Sequence, residues 1–155
     1  MVKSSRNKAL DILGRSNGRL LAHLNSCVRC GLCADSCIFY LSTGDEKYIP
    51  ARKVDLVSSI YRRYYTLTGR LVPGLVNARD LDEDTVTEMV DLLYGSCTMC
   101  GRCSSHCSIG VDISYLVSVG RAMLAEMGKV PGTLQSTVDA AIKTGNNMGI
   151  PVEDL

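Results

Sequence analysis

Apolar residues recur at intervals of three and four positions along most of this chain, a period that predicts α-helices. The clearest case runs from Ala51 to Leu67, where the apolar face is formed by Val54, Val57, Ile60 or Tyr61, and Tyr64. The opposite face carries Arg52, Lys53, Arg62 and Arg63. Such a basic face is either solvated or a docking surface, because Tyr and Arg together are typical of interface hot spots.

Shorter periodic segments flank this helix. Residues 5–24 contain two apolar pieces broken at 14–18, and the second, Leu20–Leu24, predicts a short helix. Cys37–Leu41 predicts another short helix that stops at 42–45, and residues 66–79 predict an irregular loop. No stretch of useful length alternates between apolar and polar residues, so the sequence predicts an all-α fold.

Acidic residues concentrate in the segment 80–91, which has no basic residue. They are Asp80, Asp82, Glu83, Asp84, Glu88 and Asp91. Thr85–Glu88 matches a capping box, which predicts a helix start where the macrodipole favours acids. The buried face of this helix should consist of Val86, Met89, Val90 and Leu93, and Gly95 should end it.

Two more helices are predicted after residue 107. Asp112 is expected to cap the first, which Gly128 ends. Its apolar face comprises Ile113, Leu116, Val117, Leu124 and Met127. Pro131 should open the second and Gly145 close it, with an inward face formed by Leu134, Val138 and Ile142. Residues 146–155 predict no regular element.

Charge and length narrow the possible functions. The formal net charge is +1, so the charge balance does not favour nucleic-acid binding. The basic amino terminus is not followed by an apolar signal core, and no window has the uncharged apolar length that crosses a membrane. We therefore expect one cytoplasmic domain over residues 1–155, in contact with a membrane only through partner proteins.

All eight cysteines fall in two runs with the same spacing, C-x2-C-x2-C-x3-C. This is the bacterial-type spacing for [4Fe–4S] ligation, in which the fourth cysteine of a run binds the other cluster. We therefore predict two [4Fe–4S] clusters with crossed ligation. Cys27, Cys30, Cys33 and Cys107 should hold the first cluster, and Cys97, Cys100, Cys103 and Cys37 the second. Gly31 and Gly101 should let the backbone turn tightly against the clusters.

Other uses of eight cysteines fit this pattern less well. Disulfide frameworks belong to small secreted domains, and zinc usually takes two separated C-x2-C pairs. A radical-generating cluster needs an open coordination position, and eight ligands for two clusters leave none. With every cysteine assigned and no nucleotide-binding loop, no catalytic residue is predicted. His106 adjoins Cys107 and is expected beside a cluster rather than as a ligand.

Two such runs, each with Gly after the second cysteine and separated by a helical insert, resemble the α-helical ferredoxin domain. That domain occurs in the iron–sulfur subunits of succinate dehydrogenase, anaerobic glycerol-3-phosphate dehydrogenase and heterodisulfide reductase, with helices packed around two [4Fe–4S] clusters. The segment Tyr48–Lys53 and the amphipathic helix after the second run look most like the C-type iron–sulfur subunit of heterodisulfide reductase. The resemblance covers roughly residues 20–128, which leaves a C-terminal helix and tail at 129–155. Family members commonly have Pro after the fourth cysteine, whereas this chain has Ile38 and Ser108.

The resemblance implies a non-catalytic, electron-transfer subunit of a hetero-oligomeric, anaerobic oxidoreductase. Such a subunit relays electrons between a flavoprotein donor and a CCG-domain subunit that reduces a disulfide. This chain has no CCG motif, and residues 146–155 look like the junction to a CCG domain in fused relatives. A glycerol-3-phosphate or 2-hydroxy-acid dehydrogenase complex, and a purely structural iron–sulfur or zinc module, are the alternatives.

Overall fold

A computed structural model describes residues 2–15, 17–148 and 150 of the chain. Within these residues the protein is built from α-helices with no strand, so the predicted all-α fold is confirmed. The helices are α1 (Val2–Arg15), α2 (Asn17–Ser26), α3 (Ile38–Thr43), α4 (Pro50–Tyr65), α5 (Leu67–Leu71), α6 (Glu83–Met89), α7 (Arg102–Ser105), α8 (Ile113–Glu126) and α9 (Gly132–Thr144). 3₁₀ turns cover Leu32–Ser36 and Glu46–Tyr48, and a π-helical turn, Val90–Gly95, continues α6.

The apolar core lies where α1, α4 and α8 pack together, with α2 and the π-helical turn closing its sides. Its fully buried side chains include Leu13, Leu20, Val54, Val57, Ile60, Met89, Leu93, Leu116, Val117, Met123 and Leu124. Gly120 of α8 permits a close approach in this core, because a Cβ there would lie 2.5 Å from Leu93 Cδ1. The predicted inward positions of α4 and α8 are therefore correct, except that Tyr64 and Met127 are half-buried.

The first turn of α4 differs from the expectation in one residue. Pro50 occupies the first helical position, where its missing N–H costs nothing. Lys53, predicted on the basic face opposite the apolar one, is buried at 2% exposure, whereas Arg52 is exposed and Arg62 and Arg63 are half-buried. Lys53 lies four residues before the buried Val57, which puts the two side chains on the same side of the helix.

The predicted capping box at Thr85–Glu88 is wrong. α6 begins at Glu83, and its cap is Asp82, whose extended backbone lets the carboxylate accept a hydrogen bond from the Thr85 N–H at 2.8 Å. Thr85 is instead buried inside the first turn. Among several acids in a row, the residue that caps is the one whose backbone leaves the helix, which the spacing alone does not reveal.

The C-terminal helix α9 forms where it was predicted and ends at Gly145, which has a φ of 80°. Its predicted inward face is wrong: Leu134, Val138 and Ile142 are 40%, 43% and 78% exposed. No residue of α9 is buried, because α9 takes no part in the main contacts between helices. Of the tail, residues 149 and 151–155 lie outside the described residues, and residues 145–148 and 150 form no helix.

The predicted irregular loop at 66–79 contains the short helix α5, so this prediction is wrong over Leu67–Leu71. Thr66 caps it by accepting a hydrogen bond from the Gly69 N–H at 3.1 Å. Among the described residues, no helix combines the length and the apolar content that crossing a bilayer requires.

Candidate iron–sulfur site

The two cysteine runs adopt the same backbone conformation. The residue before each second cysteine, Arg29 or Met99, has a φ of 57°, and the glycine after it has a φ of 83° at Gly31 and 76° at Gly101. Left-handed backbone at both places wraps each loop around a common centre. The glycines therefore make the expected tight turns, whereas the left-handed Arg29 and Met99 could not be foreseen from residue type.

A short helical turn follows each glycine and carries the third cysteine. It is the 3₁₀ turn Leu32–Ser36 in the first run and α7 in the second. Each turn displaces the fourth cysteine, Cys37 or Cys107, from the other three of its own run. Two loops with a displaced fourth cysteine provide the geometry for exchanging ligands between sites.

The eight cysteines line two cavities, four to each. One cavity is lined by Cys37, Cys97, Cys100 and Cys103. The other is lined by Cys27, Cys30, Cys33 and Cys107. We call them the second-run cavity and the first-run cavity, after the run that supplies three of the four. Each cavity holds one of the predicted ligand sets; the bonding of individual cysteines to iron stays a prediction.

The cysteine side chains differ in exposure in the same way in both runs. The second cysteines, Cys30 and Cys100, are exposed, whereas Cys33 is buried and Cys103 is half-buried. Four thiolates around a cavity, rather than around one point, suit a cluster that offers an iron atom to each. In the described part of the chain, no three His, Cys, Asp or Glu side chains converge closely enough to bind one metal ion.

The pKa values of the inner thiols lie above the ordinary range. Burial raises the pKa of Cys33, and the neighbouring thiols Cys27 and Cys30 add to the shift. Burial also raises the pKa of Cys103 to about 11, with repulsion from Cys97 next and a further contribution from Cys33. Cysteines bind iron as thiolates, so cluster assembly must displace protons from these groups. The turn that carries Cys33 packs against α7, which carries Cys103, so the two sites adjoin there.

Backbone N–H groups point at several of the sulfur atoms. The Met99 N–H donates a hydrogen bond to Cys97 Sγ, and the Val111 N–H donates one to Cys107 Sγ, each with an N–S distance of 3.4 Å. The Ala51 N–H in the first turn of α4 donates to Cys33 and opposes the effect of burial on its pKa. The exposed Cys100 has a lowered pKa, chiefly because the Arg102 N–H donates to it. Such donors stabilise the thiolate forms that bind iron.

The start of α4 lies between the cavities, since Pro50 lines the second-run cavity and Ala51 the first-run cavity. Ile113, at the start of α8, lines both. Sequence reasoning placed Tyr48–Lys53 in the family pattern without giving it a role. In the structure this segment is the partition between the two sites.

A polar network supports the second run. Asp112 caps α8 through the Tyr115 N–H at 3.0 Å, as predicted, and its carboxylate also accepts hydrogen bonds from Ser104 Oγ at 3.3 Å and Arg19 at 2.9 Å. The Tyr115 N–H is the main reason for the lowered pKa of Asp112. The Asp112 N–H donates to His23 Nδ1 at 3.2 Å. His106 is exposed and lines neither cavity, and its expected position beside a cluster stays a prediction.

Comparisons with known proteins agree with this geometry. Residues 23–111, which include all eight cysteines, match a family described as a 4Fe–4S dicluster domain. The chain is 38% identical over 127 residues to the Hdr-like menaquinol oxidoreductase iron–sulfur subunit 2 of Archaeoglobus fulgidus, covering 82% of this chain and 23% of that protein. It is 28% identical over 116 residues to one subunit of the dihydromethanophenazine:CoB–CoM heterodisulfide reductase of Methanosarcina barkeri, covering 75% of this chain and 27% of that protein.

A further relative is the EtfAB:quinone oxidoreductase of Syntrophomonas wolfei, 28% identical over 149 residues, which cover 84% of this chain and 20% of that protein. The chain thus spans about a quarter of the length of these relatives. No solved structure matches it significantly. The resemblance to heterodisulfide reductase iron–sulfur proteins is confirmed. The cysteine donor set, divided between two cavities, fits two [4Fe–4S] clusters. The chain therefore belongs to the 4Fe–4S dicluster domain family.

Proposed function

We propose that this chain is the electron-transfer subunit of a heterodisulfide reductase-like oxidoreductase and does not catalyse a reaction alone. The observation that carries the proposal is the division of all eight cysteines between two adjoining cavities. Two clusters with every coordination position filled by the protein exchange electrons without binding a substrate. The proposal takes residues 1–155 as one cytoplasmic domain, with its cluster-binding core at about 20–128 and a C-terminal helix and tail at 129–155.

Within this function we assign the ligands in crossed sets. Cys27, Cys30, Cys33 and Cys107 hold the first cluster, and Cys97, Cys100, Cys103 and Cys37 the second. The contents of the two cavities support this assignment, and so does the displacement of Cys37 and Cys107 from their own runs.

The exposures of the cysteines support a path through the molecule. Electrons arrive at the exposed cysteine of one cluster, pass between the inner cysteines Cys33 and Cys103, and leave by the exposed cysteine of the other. Cys30 and Cys100 then mark the two sides on which redox partners dock.

The partners belong to a hetero-oligomeric complex. We propose a flavoprotein subunit as the donor and a CCG-domain, disulfide-reducing subunit as the acceptor. The name of the Methanosarcina relative supports a heterodisulfide as the final acceptor. The names of the Archaeoglobus and Syntrophomonas relatives support exchange with a quinone pool elsewhere in such a complex.

Ligand variants test the crossed assignment. The anaerobically purified chain should contain about eight iron atoms, a number set by two four-iron clusters. Electron paramagnetic resonance spectra of the reduced protein should show C37S and C100S altering one signal, and C107S and C30S altering the other. If each run instead held its own cluster, C37S would alter the same signal as C30S, and C107S the same signal as C100S. That result would show the crossed assignment to be wrong. Two bound zinc ions in place of iron would support the structural-module alternative.

Electron transfer is tested separately from ligation. The purified chain should accept electrons from dithionite and pass them to an artificial dye. It should reduce no disulfide, quinone or 2-oxo acid until partner subunits are added. Isolation of the native complex identifies those subunits, and a glycerol-3-phosphate or 2-hydroxy-acid dehydrogenase subunit in it would replace the proposed partners. Sustained disulfide reduction by the chain alone would contradict the proposal.

A further inference from the structure

Lys53 is a buried cation in the first turn of α4, with only 2% of its surface exposed. Burying a charged group is unfavourable unless an opposite charge or strong hydrogen bonds compensate for the lost hydration. No carboxylate in the described ranges forms an ion pair with Lys53. Its Nζ donates a hydrogen bond to the Tyr48 carbonyl oxygen at 3.4 Å, a long distance for such a bond. The protein therefore gives this charge little compensation of its own.

The compensating charge is provided by the site that Lys53 borders. Lys53 lines the second-run cavity together with Cys37, Cys97, Cys100 and Cys103. The Cys37 thiol donates a hydrogen bond to the same Tyr48 carbonyl oxygen at 3.7 Å. A thiolate bound to iron has no proton to donate, so Lys53 is then the donor next to two acceptors, the Tyr48 oxygen and the Cys37 sulfur.

The first-run cavity has no matching charge among the described residues that line it. Arg29 is its basic lining residue, but that side chain is 48% exposed and forms an ion pair with Asp55. An exposed, paired cation is screened by water and salt, whereas a buried one is not. The start of α4 acts in the opposite direction, because its Ala51 N–H donates to Cys33 of the first-run cavity, whereas Pro50, which has no N–H, lines the second-run cavity. Among the charged side chains that line the two cavities, the asymmetry rests on Lys53.

We propose that Lys53 is the counter-charge of the second-run cluster and makes that cluster the first of the two to be reduced. This rests on the proposed crossed assignment and adds an order of electron loading to it. Reduction adds one negative charge to a cluster, and a nearby buried cation stabilises that charge. The reduction potential of the second-run cluster is therefore raised above that of the first-run cluster, and electrons collect on the Cys100 side.

A redox titration of the chain loaded with both clusters tests the proposal. Each cluster is followed by electron paramagnetic resonance as dithionite reduces it. Lys53→Met keeps most of the length of the side chain without its charge and should favour the oxidised second-run cluster about tenfold or more. For a one-electron couple this lowers the potential by about 59 mV or more. Lys53→Arg, which keeps the charge, should restore most of the difference. Lys47→Met is the control: it removes an exposed charge two residues before Ile49, the N-cap of α4, and should change neither reduction potential.

The two reduction steps are assigned with Cys100→Ser and Cys30→Ser, which mark the second-run and first-run clusters. An unchanged potential in Lys53→Met with eight irons retained, or a shift of the Cys30-marked step alone, would overturn the proposal. If Lys53→Met loses iron, Lys53→Gln keeps a donor toward the Tyr48 carbonyl and must lower the same step for the proposal to stand. A wild-type chain without two one-electron steps would instead count against the proposed function.

Discussion

The two cysteine runs are alike in backbone and different in surroundings. Both have left-handed residues before and after the second cysteine, followed by a short helical turn. The second run is also held by contacts that the first lacks: Arg121 donates to the Cys97 carbonyl at 2.6 Å, and Asp112 accepts a hydrogen bond from Ser104. Repeated spacing thus specifies cluster binding, whereas the residues packed around each loop distinguish one site from the other.

Removing the iron should have the largest effect, because it abolishes what the two loops share. Ligands from residues 27 to 107 converge on the clusters, so metal binding and folding contribute to one free-energy change. Chelation under anaerobic conditions should cause a cooperative loss of helical circular dichroism. An apo-protein that stays fully helical and monodisperse would show that the α1–α4–α8 core folds without the clusters.

Alanine at the two matched glycines tests whether the loops are equivalent. Gly31 and Gly101 have positive φ, and an added Cβ would meet no atom closer than 3.8 Å, so the penalty is conformational. Gly31→Ala and Gly101→Ala should each destabilise by about 1–2 kcal/mol and lower the melting temperature by about 2–8 °C. The measurement is the thermal midpoint of cluster absorbance.

Gly132 is the control for this pair, because it begins α9 with an ordinary φ and open space around it. Gly132→Ala should leave the thermal midpoint unchanged or raise it slightly, because it stabilises the fold by less than about 1 kcal/mol. A large penalty at Gly31 and none at Gly101 would end the equivalence of the two loops.

Removing the carboxylate of Asp112 probes the network that only the second run has. Asp112→Ala should destabilise by about 1 kcal/mol through loss of the α8 cap and should also alter the cluster spectrum. Asp82→Ala removes the same kind of cap from α6, away from the cysteines, and should destabilise equally without a spectral change. Hydrogen bonds from Tyr115 N–H and Thr85 N–H lower the pKa values of Asp112 and Asp82. Both caps therefore act fully above the unfolded carboxyl pKa and weaken as pH falls through the lower, folded values. Identical spectra for both variants would contradict a role for the Asp112 network.

The smallest effect is expected at α9, which lines neither of the two cysteine cavities. Ile142 is 78% exposed, so Ile142→Asn should change the free energy of unfolding by less than about 0.5 kcal/mol. Leu116 of α8 is fully buried, and Leu116→Ala should destabilise by about 2–5 kcal/mol. Urea denaturation of the cluster-loaded chain compares the two. A large effect at Ile142 would show that α9 packs against the chain after all.

Much of the fold followed from local rules that act within a few residues. The cysteine spacing fixes the chemistry of the site, and Asp112 and Gly145 act at helix ends as their residue types predict. The apolar faces of α4 and α8 were predictable because both helices pack along most of their length against other helices.

The errors arose where tertiary contacts decide. The apolar stripe of α9 has the period of a buried face, yet no described residue of that helix is buried. Lys53 was assigned to the basic face of α4, and only the packing of α4 against the cysteine loops shows that this side chain is buried. Arg29 and Met99 adopt left-handed backbone although neither residue type favours it. Sequence period and residue type carry no information about these longer-range constraints.

The closeness of Cys33 and Cys103 has a consequence for how much charge the chain stores. With the clusters held as proposed, an electron on one cluster repels a second electron on its neighbour, because the turn that carries Cys33 packs against α7, which carries Cys103. Loading is therefore anticooperative: the second electron enters at a lower potential than the first, whichever cluster is filled first. Over the interval between the two potentials the chain carries a single electron, so a donor that delivers electrons in pairs must discharge them in two separate steps.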